Sequence, residues 1–181
     1  MYYKKLIGQK CYLSPIDIND SDKFVEWLND IEVTKNLNLY PMQINNENEK
    51  EILKSLANLQ NYSIIDIENN KLIGSCGFIN IDHLNQTGEA SIFIGDKNYW
   101  NKGYGSEALK LLLDYGFKAL NLYSVFLQVF GFNERAIKTY EKIGFKKIGI
   151  RRQCDIRNRE RHDLILYDIL VDEFYNKTDC L

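Results

Sequence analysis

The chain has 181 residues, of which 45% are hydrophobic and 27% charged, with a formal net charge of −2. That describes one ordinary globular domain, 1–181, long enough to bury a good core. It excludes the basic footprint of a nucleic-acid binder, and no apolar run approaches the ~20 residues that would span a bilayer.

The apolar part of the opening Met1–Ile7 is too short for a signal peptide. Tyr12 to Pro15 reads as a first strand. Asp20 or Ser21 can cap a helix carrying Phe24, Val25, Trp27 and Leu28. Pro41 breaks a poorly patterned stretch from Val33 to Asn45. Asn46 can cap a second helix, with Glu47, Glu49 and Glu51 near its positive end and Ile52, Leu53, Leu56 and Leu59 as its apolar face. Tyr62 to Ile67 and Lys71 to Ile79 predict a hairpin around Asn69-Asn70, residues that tolerate left-handed backbone. A strand from Glu89 to Ile94, a helix running to Leu120, a strand from Ser124 to Val129 and a helix from Asn133 to Ile143 come next. Phe145 to Arg152 and His162 to Leu170 close the chain as strands around the turn 157–160. The order is mixed α/β with a predominantly antiparallel sheet and two crossover helices. Cys11, Cys76, Cys154 and Cys180 are scattered without zinc-like spacing. They read as isolated buried thiols in a reducing cytoplasm. His83 and His162 are far apart, and no metal is expected.

Two stretches carry chemistry. In the first, a strand feeds a loop, and the loop opens a helix at Gly103-Tyr104-Gly105-Ser106. Ala108, Leu111, Leu112, Tyr115 and Ala119 then recur at helical spacing. Glycines at the junction let a ligand approach the backbone. The first amides of a helix lack partners and sit at the positive end of its dipole, so the junction suits a phosphate. The dinucleotide fingerprint fits poorly. A long loop separates strand from glycine, and Leu122-Tyr123-Ser124 stands where an acidic residue is required. On the glycines alone, a helix start in a tight corner is an equal reading.

In the second stretch, Ser124 to Val129 precedes Asn133, Ala136, Tyr140, Gly144 and Phe145 at set spacings. Together the two stretches resemble the GNAT superfamily of acyl-CoA-dependent N-acyltransferases, in its ribosomal-protein and spermidine acetyltransferase branch. The tail from His162 to Leu170 is similar too, and the resemblance is strong from about Tyr62 to Tyr175. Trp100 departs from the motif, which has Arg or Gln at its place. The resemblance implies a GNAT fold with about six to seven strands and about four helices. It implies acetyl-CoA as co-substrate, bound by Phe93, Ile94, Trp100, Asn101, Lys102, Gly103, Tyr104, Gly105, Ser106, Asn133, Ala136 and Tyr140.

Direct acyl transfer from a thioester needs a neutral amine, a donor for the thioester oxygen and an acid for the departing thiolate. The resemblance implies Tyr140 as that acid; by itself it reads as one core tyrosine among twelve. Glu89, on the strand leading to the loop, is the candidate base, directly or through water, or else an ordinary rim carboxylate. The resemblance also implies that backbone amides near Phe93 and Ile94 serve the thioester oxygen. The acidic lean of 17–51 reads as solvated helix faces or as a field that attracts a cationic amine. Arg151, Arg152, Arg157, Arg159, Arg161 and His162 read as a solvated basic hairpin, and Asp163 as its cap or as an amine ligand. The expected partners are acetyl-CoA and a primary amine, in a monomer or homodimer. A peptide N-terminus is set against a spermidine-type polyamine or aminosugar, and an acyl-CoA-binding sensor is the non-enzyme alternative.

Overall fold

The computed structural model describes residues 1–38 and 42–178; Pro41 and Cys180 lie outside them. In chain order the elements are β1 (Leu6–Ile7), β2 (Cys11–Pro15), α1 (Ser21–Leu28), α2 (Ile31–Thr34), α3 (Asn46–Ala57), β3 (Asn61–Asp66), β4 (Leu72–Asp82) and β5 (Thr87–Ile94). They continue with α4 (Tyr104–Ala119), β6 (Ser124–Phe130), α5 (Glu134–Ile143), β7 (Lys146–Arg157), β8 (Glu160–Leu170) and α6 (Val171–Thr178). Eight strands and six α-helices among the described residues thus replace the expected six to seven and four. The two-residue β1, the single turn of α2 and the terminal α6 are too short or too weakly patterned to read from periodicity.

Two compact units divide the chain. The first comprises Met1–Ile79 with Ser91–Leu112. In it β1, β2, β3 and β4 pair antiparallel in sequence order, with Leu6 opposite Leu13, Leu13 opposite Ile64, and Tyr62 opposite Cys76. Asn70, at φ 51°, turns the β3–β4 hairpin as its residue type allows. Tyr12, Phe24, Trp27, Leu28, Leu53 and Ile65 form the core. Phe24, Trp27 and Phe93 meet edge to face, with ring centroids 5.7–6.3 Å apart.

The α3 face differs from expectation. Ile52 is exposed, as is Leu59, which lies past the end of the helix at Ala57, while Leu53 is buried and Glu49 is only 2% exposed. The inward stripe runs Glu49–Leu53–Leu56 rather than through all four apolar residues. The cap also moves by one residue: Asn45, not Asn46, accepts from Asn48 N at 2.8 Å. Asp20 stands at the cap position of α1 but makes no side-chain cap bond.

The second unit comprises Asn80–Ala90 and the chain from Leu113 onward. Within it β5 pairs parallel with β6 (Glu89 opposite Phe126), β6 antiparallel with β8, and β8 antiparallel with β7. The β7–β8 hairpin is longer than the sequence predicts. Asn158 and Arg159, at φ 51° and 68°, make a two-residue loop whose twist suits a hairpin. A register shift between Arg151 and Asp155, with Gln153 at φ 51°, breaks the alternation there and hides the remaining strand. Phe117, Phe174 and Tyr175 pack α6 into this unit. Cys11 and Cys76 are buried as expected, but Cys154, on the bulged part of β7, is exposed.

Candidate active site

In the first unit, the loop after β5 is held in several places. Asp96 accepts from Asn98 N at 3.0 Å, capping a short 3-10 turn at 97–99, and pairs with Lys71 at 2.7 Å. Trp100 donates from Nε1 to Ile94 O at 2.8 Å, so the indole that departs from the motif folds back onto the end of β5. Asn101 (φ 59°) and Gly103 (φ 87°) carry the chain through left-handed backbone into α4. The first helical bond is Glu107 N to Gly103 O at 3.0 Å. The amides of Tyr104, Gly105 and Ser106 precede it and form the positive end of a 16-residue helix. Ala108, Leu109 and Leu112 are fully buried and fix that helix in place. A Cβ at Gly74 would collide with Phe93 O, so the backbone at the end of β5 passes close to β4. Lys97 pairs with Asp30 at 2.8 Å and Glu32 at 2.9 Å, so it belongs to α2 rather than to an anion site. The same pairs neutralise part of the acidic 17–51 region, as do Lys23–Glu26 and the N-terminal amine with Asp17.

In the second unit, Asn133 caps α5, accepting from Ala136 N at 3.2 Å, as its sequence position predicts. Tyr140 lies two turns further on, 9% exposed, its ring 5.8 Å from that of Phe145. Burial pushes its phenol up to about 12, so it keeps its proton throughout the neutral range. Among the described residues nothing accepts from its hydroxyl. Gly144, at φ 128°, ends the helix with its amide on Tyr140 O at 3.0 Å. Glu89 is held by two amide side chains, Asn80 Nδ2 at 3.2 Å and Gln128 Nε2 at 2.9 Å. If it takes the amine proton, Glu89→Gln should lower kcat by about tenfold near neutral pH, water replacing it poorly. Acetyl-CoA affinity should not change. An unaltered rate and pH profile would remove Glu89 from the reaction.

Asp163 Oδ1 accepts from Gln153 N at 2.8 Å and pins the β7 bulge; this is the hairpin-fixing reading of that residue. Arg157 is buried, bonded through Nε to Asp155 at 2.7 Å, with its guanidinium 4.0 Å from the Phe130 ring centroid. The solvated-hairpin reading fails there, though Arg151, Arg152, Arg159 and Arg161 are exposed. Sequence reasoning missed Asp66, Glu107 and Lys10, which hold the loop before α4. A carboxylate within the apolar run Ile64-Ile65-Asp66-Ile67 was the available signal.

The family model described as an acetyltransferase (GNAT) domain matches residues 10–146. The uncharacterized N-acetyltransferase p20 of Bacillus licheniformis is 30% identical over 175 residues, 93% of this chain and 97% of that protein. The spermidine N(1)-acetyltransferase of Escherichia coli K12 is 34% identical over 107 residues, 55% of this chain and 57% of its own length. Among solved structures, a GNAT-family acetyltransferase from Bacillus anthracis superposes with a TM-score of 0.82 at 25% identity, covering 96% of this chain and all of the other. Spermidine N-acetyltransferase from Vibrio cholerae, crystallised with CoA and spermine, gives 0.84 at 22% identity, over 93% of this chain and all of the other. The chain belongs to the GNAT acetyltransferase family and is an N-acetyltransferase.

Proposed function

We propose that the protein transfers an acetyl group directly from acetyl-CoA to a primary amine. The observation that carries this is the glycine loop at 103–105, with three helix-start amides facing no helical partner. Such amides suit the pyrophosphate of a CoA donor. In the reaction the neutral amine attacks the thioester carbonyl. The C–N bond forms, the C–S bond breaks, the amine proton passes to Glu89 or water, and Tyr140 meets the departing sulfur with its proton. The acceptor is a peptide N-terminus or a small amine. The spermidine-type reading is supported by the Escherichia coli and Vibrio cholerae relatives. Against it, Asp30 and Glu32, acids that would attract a polyamine, are bonded to Lys97.

Thiol release from acetyl-CoA over a panel of peptides with free N-termini, polyamines and aminosugars tests both readings. Release stimulated by none of them, with acetyl-CoA still bound, would leave the sensor alternative. Acetyl-CoA, and not NAD, should raise the melting temperature by mass action. Gly105→Val should weaken that binding by about tenfold by blocking backbone approach. The fold should survive, because a Cβ at 105 meets only Ile94 Cγ1 at an ordinary 3.6 Å. Unchanged acetyl-CoA affinity in that variant would remove the loop from the donor site.

A further inference from the structure

We propose that Asp66 is a positioning residue for the donor-binding loop: one buried carboxylate ties together the two ends of the segment 99–104. The inference rests on reading that loop as the pyrophosphate site. Asp66, at the end of β3, is 1% exposed. Its Oδ2 accepts from Tyr99 OH at 3.2 Å, and its Oδ1 from Tyr104 OH at 3.0 Å. Tyr99 closes the 3-10 turn that enters the loop, and Tyr104 is the first residue of α4. Their rings meet edge to face with centroids 4.9 Å apart. Between them lie Trp100, Asn101, Lys102 and Gly103, two of them in left-handed backbone. A chain with that freedom needs its ends fixed if its amides are to converge on one ligand.

A carboxylate beside an anion site would ordinarily repel the ligand. Here its charge is occupied by protein donors. Asn69 adds Nδ2 at 2.7 Å and its backbone amide at 3.3 Å to the two phenols. Burial opposes ionisation of Asp66, but these donors outweigh it and hold the carboxyl below its ordinary value. Tyr104, pushed up to about 12 by burial and by Asp66, keeps its proton for the bond.

A second fastening acts on the same segment from the β1–β2 turn. Glu107, in the first turn of α4, accepts through Oε1 from the amides of Gln9 at 2.6 Å, Lys10 at 2.7 Å and Cys11 at 3.3 Å. Lys10 Nζ donates to Lys102 O at 2.8 Å, in the middle of the loop. The turn therefore fixes α4 and the loop crown, while Asp66 fixes the loop's two feet.

The test measures acetyl-CoA affinity by calorimetry, and kcat and the two KM values with the best acceptor from the panel. Asp66→Asn keeps the size of the side chain but gives up one acceptor and the charge. The variant Tyr99→Phe/Tyr104→Phe removes both phenol bonds to the carboxylate while sparing Asp66, and covers the case where Asp66→Asn fails to fold. Either change should weaken acetyl-CoA binding and raise its KM by about tenfold. The kcat at saturating donor and the acceptor KM should stay within about twofold, and KM for S-acetylpantetheine, which lacks the pyrophosphate, should not move. A merely structural Asp66 would lower the melting temperature and leave acetyl-CoA affinity of the folded protein intact, which overturns the proposal. Equal losses with both donors overturn it too. Gly105→Val measured alongside separates the two layers. If it weakens acetyl-CoA binding and neither clamp variant does, the clamp alone is wrong; if Gly105→Val has no effect, the reading of the loop itself fails.

Discussion

Tyr140→Phe should lower kcat by about 10²-fold, the low end for removal of a general acid, with acetyl-CoA affinity and stability unchanged. The structure makes this variant unusually clean. A buried tyrosine hydroxyl that served the fold would be bonded, and its loss would cost about 1 kcal/mol of stability. Nothing among the described residues accepts from the Tyr140 hydroxyl, so phenylalanine gives up no protein bond. Its ring keeps the packing against Phe145. Burial pushes the phenol to about 12, against ~8.5 for an ordinary thiol. Full proton transfer to a thiolate in water would therefore run uphill. On the proposed reading, Tyr140 would offer instead a hydrogen bond that strengthens as charge develops on the departing sulfur. Activity should accordingly rise with pH as the amine loses its proton, with no fall from Tyr140 ionising below about pH 10. Preserved kcat in the phenylalanine variant would remove Tyr140 from the chemistry and leave it a core residue.

The order of strands and helices was legible because long elements repeat their signal. Ser124–Phe130 is seven residues of near-continuous apolar strand, and α5 begins at an asparagine whose cap bond its position predicts. The glycine loop was legible because left-handed backbone restricts residue type, and Gly103 does adopt it. The illegible features depend on partners distant in sequence. Asp66 gains its meaning from residues 33 and 38 positions away, and Glu107 from residues 96 to 98 away. No local pattern encodes those meetings. Arg157 reads as one more surface cation until β6 supplies Phe130 beneath it. The β7 bulge was invisible for a related reason: one inserted residue cancels the period-two pattern that identifies a strand.

Glu49→Gln should stabilise the protein by about 3 kcal/mol at pH 8 and change it little at pH 4. The sequence places Glu49 in the first turns of α3, where the helix dipole favours a negative charge by about 0.3–1 kcal/mol at an exposed position and up to about 2 at a partly buried one. The structure turns the residue inward instead, in line with Leu53, leaving it 2% exposed with Oε2 lacking a partner among the described residues. Desolvation is the larger effect and raises the carboxyl from 4.5 to about 7. The sign depends on which state binds the proton. Below pH 4.5 both folded and unfolded chains are protonated and the burial carries no ionic cost. Between 4.5 and 7 the unfolded chain ionises while the folded one holds its proton, so stability falls as pH rises. Above 7 the loss is constant, and 2.5 units at 1.36 kcal/mol each set its size at about 3 kcal/mol. Glutamine has nearly the same volume and no charge, so it removes that slope without opening a cavity. Denaturant unfolding of both proteins at pH 4, 6 and 8 measures it. The two stability curves should meet at pH 4 and diverge above it, with the variant the more stable. Parallel curves would mean that Glu49 titrates alike in the folded and unfolded chains, and a variant less stable at pH 8 would mean that a partner in the folded protein holds its charge.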